Sequence, residues 1–361
     1  MSKTTKTILW FVVIIIIIIA GIWYGVSRKP TTPTTKEPIK IGVILPLTGR
    51  AASIGEVMRE GLEWKVEELK QTGVPIEFYI EDFQSDPKQA VSAFYRLVNE
   101  KGLKIIFTIT SAAGMALKPL AEENKVLLWV DNAHPDQTKN SNYILRHSNT
   151  ADNDAIVLGN FMRQKSYKKI GFIYQQDEWG VAWNQHFSDF VKKEINAEII
   201  SEAIDPKQTD FRTTLTKVIN KKPDAVVLVA FGPAAGLLIK QLKELNYTGD
   251  LYSSNGFILT PDAIKIAGDA AKGMYYLAYE ENDQFKNDYK TKFNKEPSIV
   301  GFIGYTDMEL LYYAIQQTNS IDPEKIIKFI KSLNEFQGKY EKIKINPSGD
   351  ILMFTKVKIW E

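Results

Sequence analysis

From Ile39 onward, short apolar runs alternate with longer stretches whose apolar positions recur every three or four residues. Residues 39–45 form a nearly unbroken apolar run of strand length, and 54–71 then carry Val57, Met58, Leu62, Val66 and Leu69 at helical spacing. The alternation continues with a strand over 75–81 and a helix over 87–100, opened by Asp86 as N-cap and Pro87 at the first helical position. A strand over 103–109, a helix over 114–124 and a strand over 126–130 follow. Past Asn149 the pattern predicts helices over 152–165, 180–194, 210–220 and 234–245, separated by strands over 169–175, 197–203, 224–230 and 250–254. Strands separated by helices of this size define βαβ units and parallel sheets covered on both faces.

These are too many strands for one sheet, and the polar stretch 147–154 reads as a crossing between two halves. The expected fold class is therefore α/β, with two doubly wound, Rossmann-like lobes. Residues 282–334 read as purely helical and 339–358 as a final pair of strands, so the chain is expected to return to its first half. The expected division is 39–150 plus 280–334 for lobe 1, and 151–279 plus 335–361 for lobe 2.

The amino-terminal residues follow different rules. After a short tail, 1–7, residues 8–26 hold no charge and include six consecutive isoleucines. A helix of that length nearly spans the ~30 Å hydrocarbon core, and Trp10, Trp23 and Tyr24 fall near its ends, where aromatic rings favour the interface. The alternatives are a cleaved signal peptide and an uncleaved anchor; the length of the run and the poor cleavage site at Gly25-Val26-Ser27 favour one transmembrane anchor. Residues 27–38 contain Pro30, Pro33 and Pro38 among threonines, the composition of an extended tether. The expected location is the cytoplasmic membrane, with the body outside the cytoplasm.

Charge and cysteine content narrow the chemistry. The first 36 residues hold five basic residues and no acidic one, so the remainder carries 40 basic against 43 acidic side chains. A mildly acidic body argues against nucleic acid as a partner. The chain has no cysteine, which excludes disulfides, thiol nucleophiles and thiolate metal sites. Its three histidines, His134, His147 and His186, have no metal-ligand spacing, and no metal or cofactor is expected. G-x-S-x-G, H-E-x-x-H, G-x-G-x-x-G and P-loop motifs are absent, so no enzymatic activity is expected.

In open α/β folds a ligand sits beyond the carboxyl ends of the strands. Ser111 stands where a strand meets a helix, so its hydroxyl and the helix N-terminus form a candidate anion site, with simple N-capping as the alternative role. Asp131 to Pro135 follow another strand, and His134 there offers a donor. Trp179 opens a helix after Gln175 to Glu178, and Phe231 precedes Gly232-Pro233 after a wholly apolar strand.

The body resembles the type I periplasmic solute-binding proteins of the leucine/isoleucine/valine-binding group, which serve ABC importers. The resemblance spans residues 39–360 and rests on Ile39-Lys40-Ile41-Gly42-Val43 with Pro46-Leu47-Thr48-Gly49, and on Glu81 through Val91 with its Asp86-Pro87-Lys88-Gln89-Ala90-Val91. Asp177-Glu178-Trp179-Gly180, and Phe336-Gln337-Gly338 ahead of Ser348-Gly349-Asp350, agree in order and spacing. It implies two lobes joined by three hinge crossovers, which close on a small-molecule ligand like a clamshell, and permease and ATPase subunits as partners.

Carried over by position, the resemblance makes Ser111 the receiver of a ligand carboxylate. It places Asn132 and His134 where the family offers a backbone carbonyl and a threonine hydroxyl. Trp179 and Phe231 become aromatics that close over the ligand, and Ile54 lies near its side chain. Asn255 falls where amino-acid binders hold a glutamate against the ammonium, and an amide cannot neutralise a cation. The implied ligand is a small carboxylate or a branched-chain or aromatic amino acid, delivered to an ABC importer. The alternative is a ligand-sensing receptor ectodomain of the same fold acting through a partner protein.

Overall fold

A computed structural model describes residues 38–280 and 282–361. The expected tail, span and most of the linker lie outside the described residues. Among those described, no helix is long and apolar enough to cross a membrane.

The first sheet is built from β1 (Ile39–Leu45), β2 (Ile76–Asp82), β3 (Ile105–Ile109), β4 (Leu127–Asp131) and β5 (Ile144–His147). Helices α1 (Ala52–Gln71), α2 (Pro87–Tyr95) and α3 (Ser111–Asn124) connect the first four. Every strand pairing among these five is parallel. Their unbroken apolar runs follow from burial on both faces. Phe107 and Trp129 face one core, while Ile106 and Leu128, one position away, face another.

After α4 (Ala151–Arg163) the chain builds the second sheet from β6 (Lys169–Gln175), β7 (Glu198–Ile204), β8 (Ala225–Val229), β9 (Asp250–Ser253) and β10 (Tyr275–Tyr279). Helices α5 (Glu178–Phe190), α6 (Arg212–Ile219), α7 (Pro233–Glu244) and α8 (Pro261–Ala267) connect these strands. Val227 and Val229 point to one core, Val226 and Leu228 to the other.

The chain then returns. Helices α9 (Asp283–Phe293), α10 (Ile299–Thr318) and α11 (Pro323–Ser332) join the first lobe, where Phe285 and Tyr289 pack on Trp64 at centroid distances of 5.7 and 6.3 Å. Four strands finish the chain: β11 (Glu335–Gln337), β12 (Lys342–Ile345), β13 (Asp350–Leu352) and β14 (Thr355–Ile359). The sheet orders are β11-β12-β13-β5-β4-β3-β1-β2 and β14-β10-β9-β8-β6-β7.

This corrects the expected division at one place. Residues 335–352 belong to the first sheet, and only β14 joins the second, antiparallel to β10. Phe336, Ile343 and Ile345 bury themselves in the first core, and a buried Arg146–Asp350 ion pair of 2.7 Å fixes β13 beside β5. The chain thus passes between the sheets three times, near residues 148–150, between β10 and α9, and near residues 353–354.

Candidate functional site

The carboxyl ends of β1, β3 and β4 face those of β6, β8 and β9 across a cleft. Its cavity, open mouth included, measures about 690 Å³. Ile54, Ser111, Asn132, Trp179, Phe231 and Asn255 all line it.

Ser111 is the first residue of α3, but the cap is Thr110, whose Oγ1 accepts from the Ala113 N–H at 3.3 Å. Capping therefore leaves the Ser111 hydroxyl available to the cavity. Thr110 itself sits at φ +81°, a strained conformation for a β-branched residue. It is held there because its own N–H donates to the Asp131 carbonyl at 3.0 Å while its side chain caps the helix.

His134 does not line this cavity, which corrects the expectation for it. Asn132 Oδ1 accepts the His134 N–H at 3.1 Å, and His134 Nδ1 accepts the Asp136 N–H at 3.2 Å, so the ring folds back on its own loop. It lines a separate groove with Gln176, Glu178 and His186, and burial lowers its pKa. Ala133 faces the cavity in its place. Asn132 is engaged as well, since its Nδ2 donates to Gln137 Oε1 at 2.9 Å. It shapes the wall.

The second lobe contributes the aromatics. Trp179 and Phe231 meet at a centroid distance of 5.8 Å, tilted by 58°. A Cβ on Gly256 would come within 2.7 Å of the Trp179 ring and 2.3 Å of the Ala230 carbonyl oxygen, so glycine is required there. Ile109, Leu259, Val300 and Ile303 complete the apolar wall around Ile54.

Three charged side chains line the cavity: Arg50, Asp131 and Asp177. Arg50 Nη2 reaches Asp177 Oδ2 across the cleft at 3.3 Å, and its guanidinium lies 5.0 Å from the Phe231 ring centroid. Asp177 is fully engaged, because it also accepts from Gln175 Nε2 and caps α5 through the Gly180 N–H. Asp131 has no such ion pair. Burial pushes its carboxyl up to about 7, against the pull of the His147 charge. His147 is itself matched, with Nδ1 2.6 Å from Asp307 Oδ1.

Asn255 is a buried residue of the cavity lining. Its Nδ2 donates to Asp154 Oδ2 at 3.0 Å and to the Tyr279 hydroxyl at 2.7 Å, which leaves Oδ1 without a partner. Asp154 further accepts from Asn149 Nδ2 and Thr355 Oγ1, each at 2.6 Å. Its carboxyl is pushed up to about 7 by burial. Arg50, Asp131, Ser148 and Tyr279 are cavity residues outside the set predicted from sequence. Position after a strand marks Asp131 only; Tyr279 ends a strand that the hydropathy pattern does not announce.

The comparisons with known proteins agree with this architecture. The periplasmic binding protein family matches residues 38–356, and the chain belongs to that family. It is 25% identical over 343 residues to the Leu/Ile/Val-binding protein BraC3 of Rhizobium johnstonii, covering 90% of this chain and 92% of that one. A leucine-, isoleucine-, valine-, threonine- and alanine-binding protein of Pseudomonas aeruginosa is 23% identical over 332 residues, covering 88% of each chain. A leucine-binding protein from Thermotoga maritima superposes with a TM-score of 0.83 at 25% identity, covering 90% of this chain and 95% of that one. A solute-binding protein from Rhodopseudomonas palustris, solved with 3,4-dihydroxybenzoic acid, shares the fold at a TM-score of 0.79 and 22% identity, over 90% and 93% of the chains.

Proposed function

We propose that this protein is the solute-binding component of an ABC importer and captures a small carboxylate with an apolar body between its two lobes. A branched-chain or aromatic amino acid, or a comparable acid, fits that description. The observation that carries the reading is the pairing of an uncommitted Ser111 hydroxyl at the head of α3 with the Trp179–Phe231 aromatic wall on the opposite lobe. A helix N-terminus stabilises an anion, and aromatic rings bury an apolar side chain. The ligand bridges both lobes, so it favours the closed form over the open one.

Family membership supports delivery to permease and ATPase subunits, as do relatives whose names describe branched-chain amino-acid binding. The reading includes an amino-terminal anchor over residues 8–26 and an extracytoplasmic body. Recovery of the intact chain in the membrane fraction supports the anchor; a soluble protein beginning near residue 28 overturns it.

The ligand reading is tested by calorimetry on the full-length protein with leucine, phenylalanine and their carboxamides. The acids are expected to bind one to one and the carboxamides to fail. Equal binding of acid and carboxamide contradicts a carboxylate at Ser111.

A further inference from the structure

We infer that Arg50 is a specificity-determining residue: it receives an uncharged hydrogen-bond acceptor at the far end of the ligand's apolar body, so that an acid with a hydroxylated tip is preferred to its bare counterpart. The inference rests on the reading of this cavity as the solute site, and it adds a second polar contact to the one at Ser111.

The first support is an unused donor. Arg50 lines the cavity, and its side chain is only 25% exposed. Its Nη2 is spent on Asp177 Oδ2, but its Nη1 is buried and has no partner among the described residues. A buried N–H of a charged group is costly to leave unpaired, and a ligand that brings an acceptor removes that cost. A guanidinium has donors only, so the group it takes is a lone pair on the ligand.

Charge is the second support. Arg50 is already matched by Asp177, which is itself held in place by Gln175 Nε2 and the Gly180 N–H. A carboxylate at the ligand's tip would meet Asp177 together with Arg50, and the repulsion offsets the attraction. A hydroxyl oxygen accepts from Nη1 without that opposition.

The third support is position. β1 pairs with β3, and neighbouring strands lie about 4.8 Å apart, so the loop after β1 that carries Arg50 adjoins the head of α3, where Ser111 stands. Across the cleft, the Arg50 guanidinium is 5.0 Å from the Phe231 ring centroid, and Phe231 meets Trp179 at 5.8 Å. A body packed on those two rings, with its carboxylate at Ser111, therefore ends beside Arg50. The rest of the wall around it, Ile54, Ile109, Leu259, Val300 and Ile303, offers a polar tip no donor.

Calorimetry on the full-length protein and on Arg50→Met decides the matter, with tyrosine against phenylalanine and 4-hydroxyphenylacetate against phenylacetate. The members of each pair differ by one hydroxyl at the end remote from the carboxylate. In the unaltered protein at least one hydroxylated member is expected to bind about tenfold tighter than its bare partner, and Arg50→Met to bring the two within about twofold. The ratio within a pair isolates this contact, because any loosening of the lobes in the variant weakens both members alike. 4-Carboxyphenylacetate is expected to bind no better than phenylacetate. Equal or reversed binding within both pairs, a preference that survives Arg50→Met, or a 4-carboxyphenylacetate that outdoes both partners overturns the inference and leaves the solute site standing. So does binding of leucine or 4-methylpentanoate with no binding of any aromatic acid. Failure of all these carboxylates to bind removes the reading of the site and the inference with it.

Discussion

Asn255 and Asp154 are joined by a 3.0 Å hydrogen bond that ties the cavity lining to the hinge. Asp154 is bonded to Asn149 and Thr355, beside the first and third crossings, and Asn255 is bonded to Tyr279, just before the second. A ligand group on Asn255 Oδ1 therefore touches a network anchored in all three connections between the lobes. Asn255→Asp replaces the donor by a second buried carboxylate. The expected cost is about 2–4 kcal/mol of stability, measured by denaturant unfolding without ligand. A cost near zero contradicts this account of the network.

Arg50 spans the mouth of the cleft, reaching both Asp177 and Phe231 of the second lobe. Its side chain is partly exposed, so the contact is worth about 1 kcal/mol and is screened by salt. Arg50→Gln is expected to weaken ligand binding by about tenfold or less, chiefly through faster release. It should also enlarge the unliganded particle in small-angle scattering. An unaltered radius and release rate would show that Arg50 does not hold the lobes together.

Ser111→Ala should lower affinity for the carboxylate by about 1–3 kcal/mol, the usual loss when a charged group forfeits a hydrogen bond. Unfolding should hardly change, because Thr110 keeps the helix cap. A large loss of stability with unaltered affinity would assign Ser111 to the fold instead of the ligand.

Asp131 and Asp154 make the empty protein sensitive to alkali. Burial raises both carboxyls to about 7 in the folded chain, so between pH 4 and 7 the folded state holds more protons than the unfolded one. Stability then falls as the pH rises through that window. The melting temperature without ligand should be higher at pH 5 than at pH 8, and Asp131→Asn should flatten the slope. A melting temperature that rises with pH over this range in the unaltered protein contradicts the assignment.

Much of the fold is legible in the sequence because sheets buried on both faces produce apolar runs, and helices between them produce three-to-four spacing. The legibility fails where strands are short or polar. β5 spans only Ile144–His147 and contains Arg146 and His147, whose charges are answered by Asp350 and Asp307 far along the chain. β11 and β12 alternate buried with exposed residues, so they carry no unbroken run, and their place in the first sheet is a matter of tertiary pairing. At the site, position after a strand is enough to mark Ser111, Trp179 and Phe231, whereas Asn255 and Ile54 are marked only by the family resemblance. It misleads at His134, where one residue of turn geometry exchanges the ring for Ala133. The unmatched charge of Asp131 is invisible in sequence, since Arg50 and Asp177 are 127 positions apart.

The most direct test of the account is mass spectrometry of the solute that the full-length protein carries when purified without denaturation. The account predicts one small carboxylic acid with an apolar body per chain. A sugar, a polyol or another solute without a carboxylate would contradict it.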